Sequence, residues 1–266
     1  MNLDGARLKT CCASFYESDL ARILLGDSFH PGGPELTARL GELLELKHDE
    51  EVLDVAAGGG GSAILLARKF GCKVLGIDLG ADQVALANQR AEAAGVAERV
   101  RFERGDAERL AGASGSFDAV ICECAFCTFP DKDSAAREFA RVLRSGGRTG
   151  LSDLTRSGPL PRELDGLLAW IACIADARPP AEYAGYLGNA GFQDLSVESH
   201  DEALAGMVRE IQGKLLATEL MVKLEKLALP GVDFAEAKDL ARAAAEAVRS
   251  GLLGYSLITA RRLACN

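Results

Sequence analysis

The chain has 266 residues, a length typical of one large domain or two small ones. Because 48% of its residues are hydrophobic and 26% are charged, it can bury a core, and a disordered or low-complexity chain is excluded. Its 30 Lys and Arg residues are outnumbered by 39 Asp and Glu residues and are scattered along the chain, which argues against a nucleic-acid partner.

Two further features concern the compartment in which the chain works. The longest uninterrupted apolar run, Leu167 to Ala175, is far shorter than the roughly 20 residues that span a bilayer. Met1 to Thr10 lacks the apolar segment of a signal peptide. The eight cysteines are therefore interpreted as free thiols and not as a disulfide framework. We expect a cytoplasmic protein without a membrane partner.

Two clusters of glycine and proline, at Pro31 to Pro34 and at Ser157 to Pro161, divide the chain into three parts. Residues 1–34 form an arm with a helical pattern. Residues 35–156 alternate strands with helices, which is typical of βαβ units and predicts a Rossmann-like α/β core with helices on both faces of a mostly parallel sheet. The predicted elements are strand Glu51–Ala56, helix Ser62–Phe70, strand Lys73–Asp78, helix Ala81–Ala94, strands Val100–Glu103 and Ala119–Glu123, helix Asp133–Leu143 and strand Thr149–Asp153.

Residues 157–266 are predicted to complete a seven-stranded sheet. Residues 201–250, rich in Ala, Leu, Glu and Lys, are predicted to form a helical insertion before the last strand, interrupted at Pro230-Gly231. An insertion of this size beside a sheet is typical of a lid or a substrate wall. The other predicted elements are helices Leu164–Ala175 and Pro180–Ala190 and strands Leu195–Ser199 and Tyr255–Leu263.

A glycine-rich loop follows the first predicted strand and opens a predicted helix. The run Val52 to Ser62 contains four consecutive glycines, which allow the backbone to pass close to a nucleotide. Asp78 ends the next strand, seventeen residues after Gly61, where a carboxylate can accept both hydroxyls of a ribose. A tightly packed turn is the structural alternative for the glycines, and a helix N-cap is the alternative for Asp78.

Asp54, near the end of the first strand, bears on which nucleotide fits. A dinucleotide would place its pyrophosphate at the N-terminus of the following helix, where free N–H groups favour an anion. Asp54 would then set a carboxylate beside that anion. A ligand with ammonium and sulfonium charges is instead attracted to Asp54, while its own carboxylate can meet the N–H groups. The charge pattern therefore favours S-adenosylmethionine over NAD or a flavin.

Four motifs together carry a resemblance to a known family: Asp54 to Gly60, Asp78-Leu79, Gly105 to Ala107 and Ser116 to Val120. As a set, they resemble the ordered motifs of class I S-adenosylmethionine-dependent methyltransferases over roughly residues 35 to 155. The resemblance implies a Rossmann-like enzyme that uses S-adenosylmethionine to methylate a small molecule.

By position, the resemblance also implies roles for the motif residues. Asp78 would bind the ribose, and Asp106 would bind the adenine amino group, with a turn-forming role as the alternative for Asp106. Ala56 stands where the family usually has glycine, so the backbone approach there is expected to be slightly looser. The implied cofactor-binding residues are Asp54 and Ala56, Gly58 and Gly60 at the methionine end, Asp78, Leu79 on the adenine face, Asp106, Ala107 at the adenine ring, and Glu123.

Histidines offer no strong candidate for a general base. The chain has three, namely His30 beside Pro31, His48 in a charged turn and His200 at a strand end. Histidines in such positions are more often surface or packing residues than catalysts. His30 is the best candidate because the arm that carries it could close over the site.

Cysteines are the unusual feature near the predicted site. Cys122 and Cys124 lie at the C-terminal end of the fourth strand, the edge at which open α/β sheets bind ligands. Alternation places the two on one face if the strand continues. Cys173 follows the fifth strand. The alternative for Cys72 and Cys122 is a packing role, because free cysteine often behaves as a small buried hydrophobic residue.

The stretch Glu123 to Lys132, followed by Phe139 to Gly147, is similar to the arsenite methyltransferases, which hold trivalent arsenic between thiolates. Soft thiolates suit soft acceptors. Arsenic bound by three sulfurs retains a lone pair, so its attack on the methyl group needs no general base. The catalytic and metalloid-binding residues that this resemblance implies are Cys124, Cys173 and, from the arm, Cys12 or Cys11.

The sequence therefore leaves three alternative functions open, and it does not predict the oligomeric state. The leading hypothesis is a methyltransferase that acts on a thiolate-bound metalloid, with arsenite as the favoured substrate. The second is a methyltransferase for a carbon, oxygen or nitrogen atom of a small organic molecule, with residues 201–250 shaping an apolar pocket. The third is a binding module or sensor without turnover. A zinc site at Cys122, Cys124 and Cys127 is disfavoured because C-x-C-x-x-C lacks a second ligand pair.

Overall fold

The structure, a computed structural model, describes residues 5–26, 29–166, 168–169 and 172–264. Seven strands form one sheet at the centre of the molecule. In chain order they are β1 (Glu51–Val55), β2 (Lys73–Asp78), β3 (Val100–Arg104), β4 (Phe117–Glu123), β5 (Leu143–Arg156), β6 (Phe192–Ser199) and β7 (Leu253–Arg262).

The strand order is β3-β2-β1-β4-β5-β7-β6. Strands β1 to β5 pair in parallel, whereas β7 lies between β5 and β6 and is antiparallel to both. The predicted Rossmann-like α/β fold is confirmed, and its sheet is mixed because β7 runs against its neighbours. The chain leaves β1 for β2 on one side and returns to β4 on the other, so the carboxyl ends of β1 and β4 flank the crevice where such sheets bind ligands.

Strand side chains alternate between two hydrophobic clusters, one on each face of the sheet. On β4, Ala119 and Ile121 belong to one cluster, and Val120 and Cys122 belong to the other. A strand that is buried on both faces needs apolar side chains at consecutive positions. This explains why the central strands form continuous apolar runs in the sequence.

Helices connect the strands and form the N-terminal end of the chain. They are α1 (Gly5–Tyr16), α2 (Asp19–Leu25), α3 (Gly33–Leu43), α4 (Gly61–Phe70), α5 (Ala81–Ala93), α6 (Lys132–Val142), α7 (Pro180–Asn189), α8 (Asp201–Lys223) and α9 (Phe234–Arg249), with short 3-10 helices at Phe126–Thr128 and Arg162–Leu164. No helix within the described ranges combines the length and the apolar character needed to cross a membrane.

The helix predicted over Leu164–Ala175 differs in the structure. Residues 167, 170 and 171 lie outside the described residues, and the described part contains the end of the 3-10 helix Arg162–Leu164, helical residues at 168–169 and turns at 172–173 and 175–176. Cys173 has a φ of 63°. Its backbone is therefore in the left-handed region, which a continuous right-handed helix does not use.

Helices α8 and α9 lie between β6 and β7 and pack on the N-terminal arm. Leu24 of α2, Leu215 of α8 and Ala241 of α9 form one hydrophobic cluster. The Lys214 Nζ atom also donates a hydrogen bond to the Leu24 carbonyl at 3.0 Å. The N-terminal arm and the helices between β6 and β7, which lie far apart in the sequence, thus pack against each other.

Candidate active site

The carboxyl ends of β1, β2 and β4 border a cavity, here called the strand-end cavity. Helix α1 and Phe29 from the arm form its other side. Its position is the one at which an open α/β sheet binds its ligand. The lining residues are Lys9, Cys12, Ala13, Tyr16, Phe29, Ala56, Gly58, Ile77, Asp78, Leu79, Gln83, Gly105, Asp106, Ala107, Glu123, Cys124, Ala125, Thr128 and Phe129.

Most of the predicted cofactor-binding residues lie on this one cavity. The arm residues Lys9, Tyr16 and Phe29 were missed, because no motif marks them in the sequence. The predicted residues that line the cavity are Ala56, Gly58, Asp78, Leu79, Asp106, Ala107 and Glu123.

A second recess, the glycine pocket, adjoins the strand-end cavity and shares Phe29, Ala56, Gly58 and Glu123 with it. Gly61 and Ser62 at the N-terminus of α4 line this pocket together with Asp54 and Gly59. A helix N-terminus favours an anionic group. A carboxylate beside it favours a cation, so the pocket fits a ligand that carries both charges.

Asp54 is the strongest sign that the glycine pocket takes a cation. Its side chain is 2% exposed, and its Oδ2 atom has no hydrogen-bond partner among the described residues. Burial raises the pKa of Asp54 well above its ordinary value, and the negative charges of Glu123 and Asp78 raise it further. A positively charged ligand would supply the missing partner and lower that pKa.

Glu123 lies beside Asp54 in a buried polar network. It accepts hydrogen bonds from Thr37 Oγ1 at 3.0 Å and from Ser152 Oγ at 3.3 Å. The His30 Nε2 atom lies 3.7 Å from the Glu123 carboxylate and 3.2 Å from Thr37 Oγ1. His30, the best base candidate by sequence, thus lines the glycine pocket.

The Asp78 carboxylate holds the glycine loop as well as lining the cavity. It accepts hydrogen bonds from the backbone N–H of Gly58 at 2.9 Å and from that of Gly80 at 2.8 Å. Gly58 has a φ of 50°, a conformation that favours glycine. Loss of this carboxylate would therefore disturb the loop together with any ligand hydroxyl that binds there.

Gly60 is tightly packed within the glycine loop. Its φ is 80°, its N–H donates to the Ala57 carbonyl at 2.9 Å, and a Cβ atom there would lie 2.5 Å from the Phe102 ring. The structure therefore gives Gly60 a turn and packing role, and its contact with the methionine end stays a prediction. Gly59 and Gly61, which we did not single out, line the glycine pocket.

Ala56 follows β1 and has a φ of 60°. This is the left-handed region, which costs a residue with a Cβ atom about 1 to 2 kcal/mol. The resemblance implied only a looser backbone approach at Ala56. The structure shows that the backbone there is strained, because Ala56 adopts a conformation that favours glycine.

Lys9 connects the arm to the cavity. Its Nζ atom lies 2.9 Å from both carboxylate oxygens of Asp106 and also pairs with Glu108. Asp106 therefore lines the cavity as predicted, and the structure pairs it with a lysine from α1. The two residues are 97 positions apart, so no local sequence pattern indicates this pair.

Cys173 lies next to Cys124, which lines the strand-end cavity. Its Sγ atom donates to the Cys124 carbonyl at 3.1 Å and lies 3.8 Å from the Tyr16 hydroxyl. Its side chain also interacts with those of Cys124 and Cys127. The structure thus brings Cys124 and Cys173 together and adds Cys127 to them.

Cys12 lines the strand-end cavity, where burial and, to a smaller extent, the charge of Cys173 raise the pKa of its thiol. Burial raises the pKa of the Cys12 thiol to about 12, so this sulfur is protonated near neutral pH. Within the part of the chain that the structure describes, no group of three or more His, Cys, Asp or Glu side chains is arranged to hold a metal ion. The three-sulfur site stays a prediction.

Cys122 and Cys124 do not share a strand face. Strand β4 ends at Glu123, and Cys124 has a φ of 52°, so the alternation stops between them. Cys122 is fully buried in the hydrophobic core, whereas Cys124 lines the cavity. The packing role weighed for Cys122 is the one that the structure shows.

A further cavity, here called the apolar cavity, adjoins the strand-end cavity. The two cavities share Tyr16, Phe29 and Cys124. The arm and helices α8 and α9 form most of its wall. The lining residues are Phe15, Tyr16, Leu20, Leu24, Leu25, Phe29, Pro31, Cys124, Leu154, Leu168, Ala172, Cys173, Ile174, Leu204, Met207, Val208, Ile211, Leu215, Ala237, Leu240, Ala241 and Ala244.

Three relatives have similar sequences. The chain is 32% identical over 268 residues to the 27-O-demethylrifamycin SV methyltransferase of Amycolatopsis mediterranei, an alignment that covers 92% of this chain and 93% of that protein. It is 32% identical to methyltransferase GfsG of Streptomyces halstedii over 60% of this chain and 63% of GfsG. It is 31% identical to the arsenite methyltransferase of Halobacterium salinarum over 58% of this chain and 40% of that protein. The chain thus spans less than two thirds of the latter two proteins.

A solved structure has the same fold. It is phosphoethanolamine N-methyltransferase 2 of Haemonchus contortus in complex with S-adenosylhomocysteine, with a TM-score of 0.80 and 18% identity over 96% of this chain and 60% of that chain. Residues 52–147 of this chain also match the methyltransferase domain family. The domain match and the nearly full-length similarity to the rifamycin enzyme show that the chain belongs to the S-adenosylmethionine-dependent methyltransferases.

Proposed function

We propose that the chain transfers the methyl group of S-adenosylmethionine to a carbon, oxygen or nitrogen atom of a small organic molecule. The observation that carries this proposal is the boundary at Tyr16, Phe29 and Cys124, which the strand-end cavity and the apolar cavity share. Methyl transfer is an in-line displacement that needs the acceptor atom about 3 to 3.5 Å from the methyl carbon. Two adjoining cavities provide for such an approach.

The glycine pocket would hold the methionine end of S-adenosylmethionine, which when bound supplies an electrophilic methyl group on a sulfonium sulfur. Asp54 and Glu123 would face its ammonium group, and the N-terminus of α4 would face its carboxylate. The unpartnered, buried oxygen of Asp54 supports this assignment. A diphosphate is negatively charged, so the same two carboxylates would repel it.

The strand-end cavity would hold the adenosine end. Asp78 would accept hydrogen bonds from the ribose hydroxyls, and Leu79 and Ala107 would pack against the adenine ring. Asp106 would accept a hydrogen bond from the adenine amino group while it keeps its pairing with Lys9, because a carboxylate can accept several hydrogen bonds. In this position α1 covers the site and excludes water.

Tyr16 would orient the acceptor at the boundary between the two cavities. Burial raises the pKa of Tyr16 well above its ordinary value, and neighbouring thiols add to the effect. Its hydroxyl is therefore protonated, which allows it to donate a hydrogen bond to an acceptor atom. Its ring packs against Phe29 with 5.5 Å between the centroids, which fixes the aromatic wall on that side.

A second candidate function is methylation of a thiolate-bound metalloid such as arsenite. The contact of Cys173 with Cys124 and Cys127 favours it, as does the similarity to an arsenite methyltransferase. Cys12 would have to approach Cys173 and lose its proton to complete a three-sulfur site. We rank this candidate second because no such set of ligands is assembled among the described side chains.

One assay separates these functions. The protein is incubated with S-adenosylmethionine and either arsenite or a panel of uncharged phenols, amines and enolisable ketones, and S-adenosylhomocysteine and methylated products are measured by mass spectrometry. We expect turnover with a member of the organic panel. Turnover with arsenite alone, abolished in Cys173→Ser, would replace our proposal with the second candidate. Tight binding of S-adenosylmethionine without any turnover would favour a binding module.

A further inference from the structure

The apolar cavity has a wall without charge. Among the described residues that line it there is no Asp, Glu, His, Lys or Arg. Its polar side-chain groups are the Tyr16 hydroxyl and the thiols of Cys124 and Cys173, and Tyr16 and Cys124 both stand at the boundary with the strand-end cavity. A phosphate, carboxylate or ammonium group placed in this cavity would lose its hydration and find no opposite charge.

The strand-end cavity has the opposite character. Lys9, Asp78, Asp106 and Glu123 line it. Ionised groups and apolar surface are thus separated at the line where the two cavities meet. A molecule that occupies the apolar cavity can therefore present a polar or nucleophilic atom at only one end.

Helices α8 and α9 contribute both large and small side chains to the lining of the apolar cavity. Met207 and Ile211 of α8 line the cavity opposite Ala237, Ala241 and Ala244 of α9. The alanines leave space that longer side chains would fill.

Polar contacts around the cavity hold its wall in place. The Gln212 side chain donates to the Ala241 carbonyl at 3.2 Å, and Lys238 of α9 pairs with Glu219 of α8 at 2.7 Å. Lys214 donates to the Leu24 carbonyl at 3.0 Å and so attaches α8 to the arm. These contacts favour a preformed binding site over a gap between loosely packed elements.

We propose that the apolar cavity binds the methyl acceptor, that this acceptor is an uncharged and largely hydrocarbon small molecule, and that α8 and α9 select it. The inference rests on the proposed function, because it places the reacting atom of the acceptor beside Tyr16 and Cys124. It excludes phosphorylated and carboxylated acceptors from this cavity.

The test uses N-phenyl-1-naphthylamine, an uncharged fluorescent probe of apolar sites, and 8-anilinonaphthalene-1-sulfonate, a probe of similar size that carries a negative charge. Fluorescence titration of the full chain is expected to give at least tenfold tighter binding of the uncharged probe. Its binding should persist at saturating S-adenosylhomocysteine, since the two ligands occupy different cavities.

Two matched pairs of variants locate the probe. Ile211→Glu places a charge in the cavity and is expected to weaken probe binding at least tenfold, whereas Leu216→Glu, at a position 61% exposed on the same helix, should leave it unchanged. Ala241→Phe fills the cavity and should act like Ile211→Glu. Its control, Ala245→Phe, lies in a separate surface groove.

The outcomes separate this inference from the function on which it rests. Equal binding of the two probes, or equal effects of a cavity variant and its control, would overturn the inference even if S-adenosylhomocysteine still binds. Failure of the unmodified chain to bind S-adenosylhomocysteine would instead overturn the proposed function. A cavity variant that loses S-adenosylhomocysteine binding has a general folding defect, and the other matched pair then decides.

Discussion

The two adjoining cavities differ in how the chain builds them. The strand-end cavity takes most of its charged groups from the carboxyl ends of parallel strands and the loop after β3, whereas the apolar cavity is formed mainly by helices of the arm and of the segment between β6 and β7. Charge is concentrated in the first and absent from the described wall of the second. In our proposal, binding of the methyl donor and selection of the acceptor therefore belong to separate parts of the chain, which separate substitutions can disturb.

The largest expected effect on the donor side is that of Asp78→Ala. This change removes the acceptor for the Gly58 and Gly80 N–H groups and for the ribose hydroxyls. Hydrogen bonds to a charged group contribute about 1.5 to 3 kcal/mol each, so we expect affinity for S-adenosylhomocysteine to fall about 100-fold by isothermal titration calorimetry. Binding of N-phenyl-1-naphthylamine should persist.

The control for this change is Asp82→Ala, which removes an exposed carboxylate from the first turn of α5. Its affinity should match that of the unmodified chain. An Asp78→Ala variant that binds S-adenosylhomocysteine within threefold of the unmodified chain would remove Asp78 from the site.

Asp54→Asn is expected to move affinity and stability in opposite directions. Loss of the carboxylate should weaken binding of S-adenosylhomocysteine about tenfold or more, because its ammonium group loses a charged partner. In the ligand-free protein, however, the buried carboxylate has a raised pKa and an unpartnered oxygen. Replacing it with a neutral amide should therefore raise the melting temperature.

The pH dependence follows from the same raised pKa. Between the ordinary pKa of an aspartate and the raised pKa of Asp54, the folded protein binds a proton that the unfolded chain releases, so the free energy of unfolding falls as pH rises through this window. The stability advantage of Asp54→Asn should therefore grow with pH. A constant difference in melting temperature across that range would contradict our account of Asp54.

Lys9→Met should have a smaller effect, which is a faster dissociation of S-adenosylhomocysteine. The change removes the ion pairs that hold α1 to Asp106 and Glu108 while it keeps the length of the side chain. We expect S-adenosylhomocysteine to dissociate several-fold faster in stopped-flow measurements, since the pair is half-buried and a hydrogen bond of this kind contributes about 1.5 to 3 kcal/mol at most. Arg7→Met, at an exposed position on the same helix, is the control.

The smallest expected effect is that of Ala56→Gly. Relief of the left-handed strain gains about 1 to 2 kcal/mol, and the greater freedom of glycine in the unfolded chain costs about 0.5 to 1 kcal/mol. Urea denaturation should show a net stabilisation of up to about 1 kcal/mol. Ala57→Gly, at a neighbour outside the left-handed region, should destabilise instead.

The sequence predicted the features that depend on local patterns. The central strands and the glycine loop are such features, since runs of apolar residues and clustered glycines are visible within short segments. Gly60 shows the limit of this reasoning, because a glycine that packs against Phe102 has the same local sequence as one that contacts a ligand.

Features built by distant segments could not be predicted in the same way. The pairing of Lys9 with Asp106 joins residues 97 positions apart, and the positions of Tyr16 and Phe29 depend on how the arm packs. For Cys124, the assumed strand alternation failed because β4 ends one residue earlier and the backbone turns to a φ of 52°.

A crystal structure of the full chain with S-adenosylhomocysteine would test the central claim most directly. Our account predicts the homocysteine group in the glycine pocket at Asp54, and the thioether sulfur beside Tyr16 and Cys124 with an open path to the apolar cavity. A sulfur atom separated from the apolar cavity by an intact wall of side chains would contradict the assignment of that cavity to the acceptor.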